Sequence, residues 1–138
     1  MTTSEKILQK HSLRNTECRT EVLTHFLSKQ VAISHADLEE AFHKKFDRVT
    51  LYRTLKSFLE HGIIHKVLDN ETTPKYAVCA ETCDVSHHQH DHVHFKCTQC
   101  QQTQCIENVH FPHFTAPNGF VFSDVNVLIT GVCKDCNK

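Results

Sequence analysis

The chain has 138 residues, a formal net charge of −1, 39% hydrophobic and 22% charged residues, a balance that excludes a disordered polyelectrolyte and fits one domain or two small ones. No run of about 18 apolar residues occurs and the first ten residues are polar, so neither a membrane span nor a secretory signal is expected and a cytoplasmic chain is the default. In that compartment eight cysteines and thirteen histidines point to metal or redox chemistry rather than to a disulfide framework.

Ser4 is read as the cap of the first predicted helix, which carries Ile7 and Leu8. Thr16 is read as the cap of a second, with Val22, Leu23, Phe26 and Leu27 on one face. Ser34 followed by Asp37 has the spacing of a capping box and opens a third, burying Leu38, Ala41 and Phe42. Asp47 caps a fourth, which runs from Arg48 to His61 and stops at Gly62. Its apolar stripe is Leu51, Leu55, Phe58 and Leu59; Arg48, Tyr52, Arg53 and Lys56 fall mostly on the opposite side. Two extended runs follow, residues 63–68 and 75–78, separated by the turn residues 69–72, which reads as a hairpin. Three helices and a hairpin match the winged-helix plan, whose last helix enters the major groove. Arg48, Arg53 and Lys56 would then face phosphates or base edges, and Thr50 and Tyr52 would add hydroxyls.

The near-neutral total conceals two unlike halves. Residues 1–66 hold eleven Lys/Arg and eight Asp/Glu (11 − 8 = +3), whereas residues 67–138 hold four and eight (4 − 8 = −4). The first half has one cysteine, Cys18, read as structural; the second has seven. A basic half suits a polyanion and an acidic, Cys/His-rich half suits cations. Cys97-x-x-Cys100 and Cys133-x-x-Cys136 can together present four thiolates to one tetrahedral Zn²⁺, clamping two distant strands of a small sheet. A thioredoxin-like redox pair normally shows one such motif, not two. His90, His92 and His94 alternate, so on a strand they share a face and can converge on a metal; a fortuitous His-rich loop is the bland alternative, and His87 and His88 break the period. Cys79, Cys83 and Cys105 bracket this stretch, and a mixed His/Cys site suits Zn²⁺ better than Fe²⁺ or Mn²⁺. Residues 120–132 look strand-like, with Val125, Val127 and Ile129 alternating with Asp124, Asn126 and Leu128. A sheet this small is expected to need a second subunit as cover.

These residues resemble the ferric uptake regulator superfamily of bacterial metal-dependent repressors. The similarity runs from about Leu13 to Cys136. It is carried by Arg14-x-Thr16-x-x-Arg19, by residues 49–55 (Val-Thr-Leu-Tyr-Arg-Thr-Leu), by Gly62-Ile63-Ile64, by His92-x-His94-x-x-Cys97-x-x-Cys100 and by residues 131–136 (Gly-Val-Cys-Lys-Asp-Cys). The resemblance implies an α+β architecture: a winged helix-turn-helix domain over 1–80 and a small α/β metal-binding dimerisation domain over 81–138. It implies a homodimer that binds double-stranded operator DNA when loaded with metal, with Tyr52 and Arg53 on DNA and Arg19 among the contacts. His65 resembles a wing histidine, and Cys79 a ligand cysteine, of the zinc uptake regulator branch. Cys105 stands where relatives commonly place Asp or Glu. Val125 replaces a common histidine, and Gln101 replaces a common glycine.

The reading that results is a zinc-sensing repressor, with structural Zn²⁺ on Cys97, Cys100, Cys133 and Cys136. A second, regulatory metal draws on His65, Cys79, His90, His92, His94 and Cys105. An iron- or peroxide-responsive repressor keeps the same fold with another signal. A zinc enzyme is a different class, but no H-E-x-x-H and no deaminase-type H-x-E is present. Neither a small-molecule substrate nor a membrane partner is expected.

Overall fold

The computed structural model describes residues 2–67, 69–78, 93–106, 115–123 and 126–137. Among these, α1 spans Thr3–Lys10, α2 Glu17–Lys29, β1 Ile33–Ser34, α3 His35–Phe42, α4 Arg48–Glu60, β2 Ile64–Val67, β3 Lys75–Val78, β4 Val93–Cys97, β5 Thr103–Ile106 and β6 Val127–Gly131.

Each helix end has a local chemical cause. Thr2, not Ser4, caps α1, through a capping box with Glu5. Ser4 instead lies inside the helix, buried, its hydroxyl 2.6 Å from that of Thr24 on α2. Thr16 caps α2 through the Arg19 N–H, and Ser34 and Asp37 form the expected box on α3. Asp47 accepts from the Thr50 N–H at 2.7 Å; the Thr50 hydroxyl and N–H hold its carboxyl below the usual range. The end of α4 is a Schellman turn: Gly62 takes φ 74, the Gly62 N–H donates to Leu59 and the Ile63 N–H to Phe58. Only glycine enters that left-handed region without a steric cost.

Among the described residues the large buried cluster lies in the first half. Leu8, Val22, Leu23, Phe26, Ile33, Leu38, Leu51, Leu55, Phe58, Ile63 and Ile64 form one buried cluster. Large side chains of this kind each contribute about 1.5–3 kcal/mol when fully buried. Three details correct the helical pattern. Ala41 is exposed, Leu59 is 36% exposed, and Thr54 takes the buried place expected of Leu59. Thr54 is tolerated there because its hydroxyl bonds the Thr50 carbonyl and lies 3.3 Å from the Cys18 sulfur. Burial pushes the Cys18 thiol up, so it is an inert packing residue, as expected.

The hairpin forms as predicted, with β2 and β3 antiparallel and His65 opposite Ala77. β1 adds a short edge, Ile33 opposite Tyr76, giving the order β1-β3-β2. The second sheet has the order β5-β4-β6; β4 runs antiparallel to β5 and parallel to β6, with Cys97 opposite Gly131. The late strand is shorter than expected. Residues 120–123 are irregular, and within β6 Val127 and Leu128 are half-buried while Ile129 and Thr130 are exposed. Among the described residues the second half contributes strands only, and Val125 lies outside them. No helix of the described residues is long and apolar enough to cross a membrane.

The two sheets touch through the wing. The Ala32 N–H donates to the Thr103 carbonyl at 2.6 Å. Lys96 on β4, 4% exposed, donates to Asn70 at 2.9 Å and to Glu71 at 2.6 Å. The Thr103 hydroxyl donates to Asp69 at 3.0 Å, and Lys75 pairs with Asp69 and Glu71, each at 3.0 Å. A buried ammonium is tolerated only with partners, and here the 69–71 turn supplies them.

Candidate metal centres and nucleic-acid face

Parallel pairing of β4 with β6 brings the two C-x-x-C motifs together at one sheet end. The four sulfurs of Cys97, Cys100, Cys133 and Cys136 all lie within 4.8 Å of one another. Cys100 and Cys133 are 3.9 Å apart, too far for a disulfide. They match the edge of about 3.8 Å expected for a tetrahedron with Zn–S bonds near 2.3 Å. Three backbone N–H groups, those of Gln99, Cys100 and Cys133, aim at the Cys97 sulfur at 3.4 Å. Donors from Cys100 and Cys133 lead the effects that pull the Cys97 thiol down to about 6, the direction that favours the thiolate a metal needs. The neighbouring Cys133 thiol pushes Cys136 up to about 12; it must lose its proton to ligate, which couples loading to pH. The residues fit a closed structural zinc site. Gln101 follows the first pair at φ 65, the conformation a glycine would hold at no cost. Its side chain compensates by donating to the Thr98 carbonyl at 2.8 Å.

The second cluster sits between the sheets. His65 comes from β2, and His94 and Cys105 face each other across β4 and β5. One ligand atom from each lies within 4.8 Å of the others. His65 Nε2 is 3.2 Å from the Cys105 sulfur, and the His65 and His94 rings stack at 5.7 Å and 22°. All three residues were sequence candidates. Cys79, His90 and His92, the other candidates, lie outside the described residues, as does Cys83. Two imidazoles and a thiolate make a borderline-soft set that suits zinc. A tetrahedral ion needs one more ligand.

The predicted DNA residues divide. Thr50, Tyr52, Arg53 and Lys56 are all exposed on α4. The Arg48 side chain is 80% exposed, yet its Nε sits 2.9 Å from Glu39, which also lies 3.3 Å from His35. Glu39 was missed by sequence reasoning. Arg19 is half-buried, and its guanidinium donates to the Arg14 carbonyl at 2.9 Å, so it braces the start of α2. Lys96, Thr103 and Asp69 were also missed; an isolated Lys in a strand carries no signal that it will be buried.

Residues 10–116 match the ferric uptake regulator family. The zinc uptake regulation protein of Escherichia coli K12 is 30% identical over 140 residues, 96% of this chain and 78% of that protein. The same figures hold for its counterpart in Shigella flexneri. Among solved structures, a zinc uptake regulator complexed with zinc and DNA aligns over 99% of this chain and 96% of its own, with 25% identity and a TM-score of 0.64. The Vibrio cholerae ferric uptake regulator covers 94% and 98% at 14% identity and a TM-score of 0.60, a likeness of fold.

Proposed function

This chain belongs to the ferric uptake regulator family, and from that premise we propose that it is a cytoplasmic, zinc-sensing transcriptional repressor. It binds operator DNA as a metal-loaded homodimer and is not an enzyme. The observation that carries the reading is the convergence of His65 with His94 and Cys105. One ligand lies on the wing hairpin and two on the second sheet. A metal bound there ties the winged helix, residues 1–80, to the dimerisation unit, residues 81–138, and fixes the spacing of the two α4 helices across the dimer. Such an ion shifts the equilibrium only by its differential affinity for the DNA-competent arrangement. Cys79, His90 or His92 supplies the remaining ligand. Cys97, Cys100, Cys133 and Cys136 hold a second zinc permanently.

The thiolate of Cys105 favours zinc over iron, which prefers carboxylate and imidazole. The deciding measurement is operator binding across buffered zinc and, separately, anaerobic Fe²⁺. Zinc should switch binding on. Equal binding by apo and zinc-loaded protein overturns the sensing role, and a response to iron alone overturns the metal assignment. Replacing Cys105 by Ser should raise the zinc midpoint about 100-fold or more, since even outer-shell changes cost about 10–100-fold. Fold and structural zinc should be retained.

Homodimerisation is supported by an apolar patch no element of the described chain covers. Phe120 is 65% exposed, Val121 91% and Phe122 48%. Clustered exposure of this kind marks an interface. Phe120→Asp should shift the species seen by sedimentation from dimer to monomer; an unchanged dimer would place the interface elsewhere.

A further inference from the structure

The packing of α4 fixes which of its residues can meet a groove. Leu51, Thr54, Leu55 and Phe58 are turned into the core. The residues at i+3, i+4 and i+7 from Val49, namely Tyr52, Arg53 and Lys56, share its outer face, and they and Val49 are all exposed. Tyr52, Arg53 and Lys56 have obvious work for a polyanion. Val49 does not: it is a branched apolar side chain, 55% exposed, in the first turn. Nothing in the described fold covers it. Its surroundings do not suit an apolar protein partner either, because Arg53 and Lys56 flank it together with Arg48, which is paired with Glu39. The carboxylate beside it, Asp47, is turned to the Thr50 N–H. Glu60, also on this side, stands a turn beyond Lys56.

We propose that Val49 reads the 5-methyl group of a thymine in the major groove. The inference rests on the reading of α4 as the DNA-recognition helix. First-turn residues of such helices approach base edges, and thymine is the base that presents a methyl group there, which apolar side chains contact. A β-branched side chain suits the task, since its χ1 is already restricted on a helix and little freedom is lost on contact. Val49 thus supplies base discrimination at a position where hydrogen-bond donors would see only the thymine O4, while Arg53 and Lys56 supply affinity.

The test uses the full-length zinc-loaded protein and a duplex selected from a randomised pool. Each thymine of one half-site is replaced in turn by uracil, which lacks only the methyl. Wild-type protein should lose about fourfold in affinity at one position, the worth of one buried methyl-sized group. Val49→Ala should bind the thymine duplex about fourfold more weakly and show no further loss on the uracil duplex. The salt dependence should be unchanged, because no phosphate contact is removed. If Val49→Ala pays the same uracil penalty as wild type, or if no thymine is sensitive, Val49 is not the reader and the inference falls while the repressor reading stands. If the zinc-loaded protein selects no duplex at all, the repressor reading falls, and this inference with it.

Discussion

Cys97→Ser is expected to release one zinc per monomer and unfold the second sheet while the helical half stays folded. The asymmetry follows from where the apolar core lies. The buried cluster is built from residues 8–64. Past Ala77 the buried hydrophobic side chains among the described residues are Val93 and Cys97. A unit whose described residues bury so few apolar side chains is expected to depend on its metal. Zinc on four thiolates brings an apparent free energy on the order of 10 kcal/mol, which is folding free energy where no site exists in the unfolded chain. Cys97 is the most damaging ligand to lose, since three backbone N–H groups converge on its sulfur and serine's oxygen is both smaller and a poor zinc ligand. Metal analysis with hydrogen exchange resolved by peptide reads the outcome. Protection should vanish over 93–106 and 126–137 and persist over α1 to α4. A variant that keeps its zinc and its protection would show that the cluster is not the staple of this half.

The second large effect is expected from Lys96→Met. Lys96 is 4% exposed and holds the 69–71 turn against β4. Methionine fills a similar volume but leaves Asp69, whose carboxyl is 1% exposed, with fewer cationic neighbours. Removing one partner of a fully buried ion pair costs about 3–5 kcal/mol. A loss of about 2–3 kcal/mol is expected here, because Lys75 still pairs with Asp69 and water reaches the turn. Denaturant melts measure it. A cost below about 0.5 kcal/mol, typical of an ordinary surface change, would show that the wing is not fastened by this residue. The pH dependence carries a sign. Lys96, then Lys75, holds the Glu71 carboxyl below its ordinary range. Burial raises Asp69, but the Glu71 N–H, Lys75 and Thr103 outweigh it. Groups lowered on folding stabilise fully above their unfolded pKa, about 4, and lose that contribution as pH falls through the lowered folded values. Wild-type stability should therefore fall in acid below about pH 4, and more steeply than that of Lys96→Met.

Much of this was legible because the relevant signals are local. Thr16, Ser34, Asp47 and Gly62 announce helix ends through chemistry that acts within three or four residues. Paired C-x-x-C motifs announce a four-thiolate site whatever the loop between them. Ser4 misled because Thr2 offers the same cap two residues earlier and Ser4 had a use in the core, against Thr24. Leu59 misled because a helix stripe has two edges, and tertiary contacts choose between them. What could not be read was the contact between the halves. Nothing about Lys96, Thr103 or Glu39 taken alone says which distant residue it will meet; the grouping of His65 with His94 and Cys105 was legible only through the family resemblance, because it depends on how two separate sheets abut.

The register of the second sheet has a consequence for how the chain reaches this state. β4 finds β5 across a short connection, but its other neighbour lies 127 − 93 = 34 residues away, and parallel partners of that separation must close a long loop before any contact rewards them. The β4–β5 hairpin should form early and β6 arrive last. The sulfurs of Cys133 and Cys136 come in with β6, so a zinc ion already held by Cys97 and Cys100 would capture the late strand. Zinc then acts on the slow step itself. It is expected to shorten the refolding time of this half as well as to hold the finished sheet together.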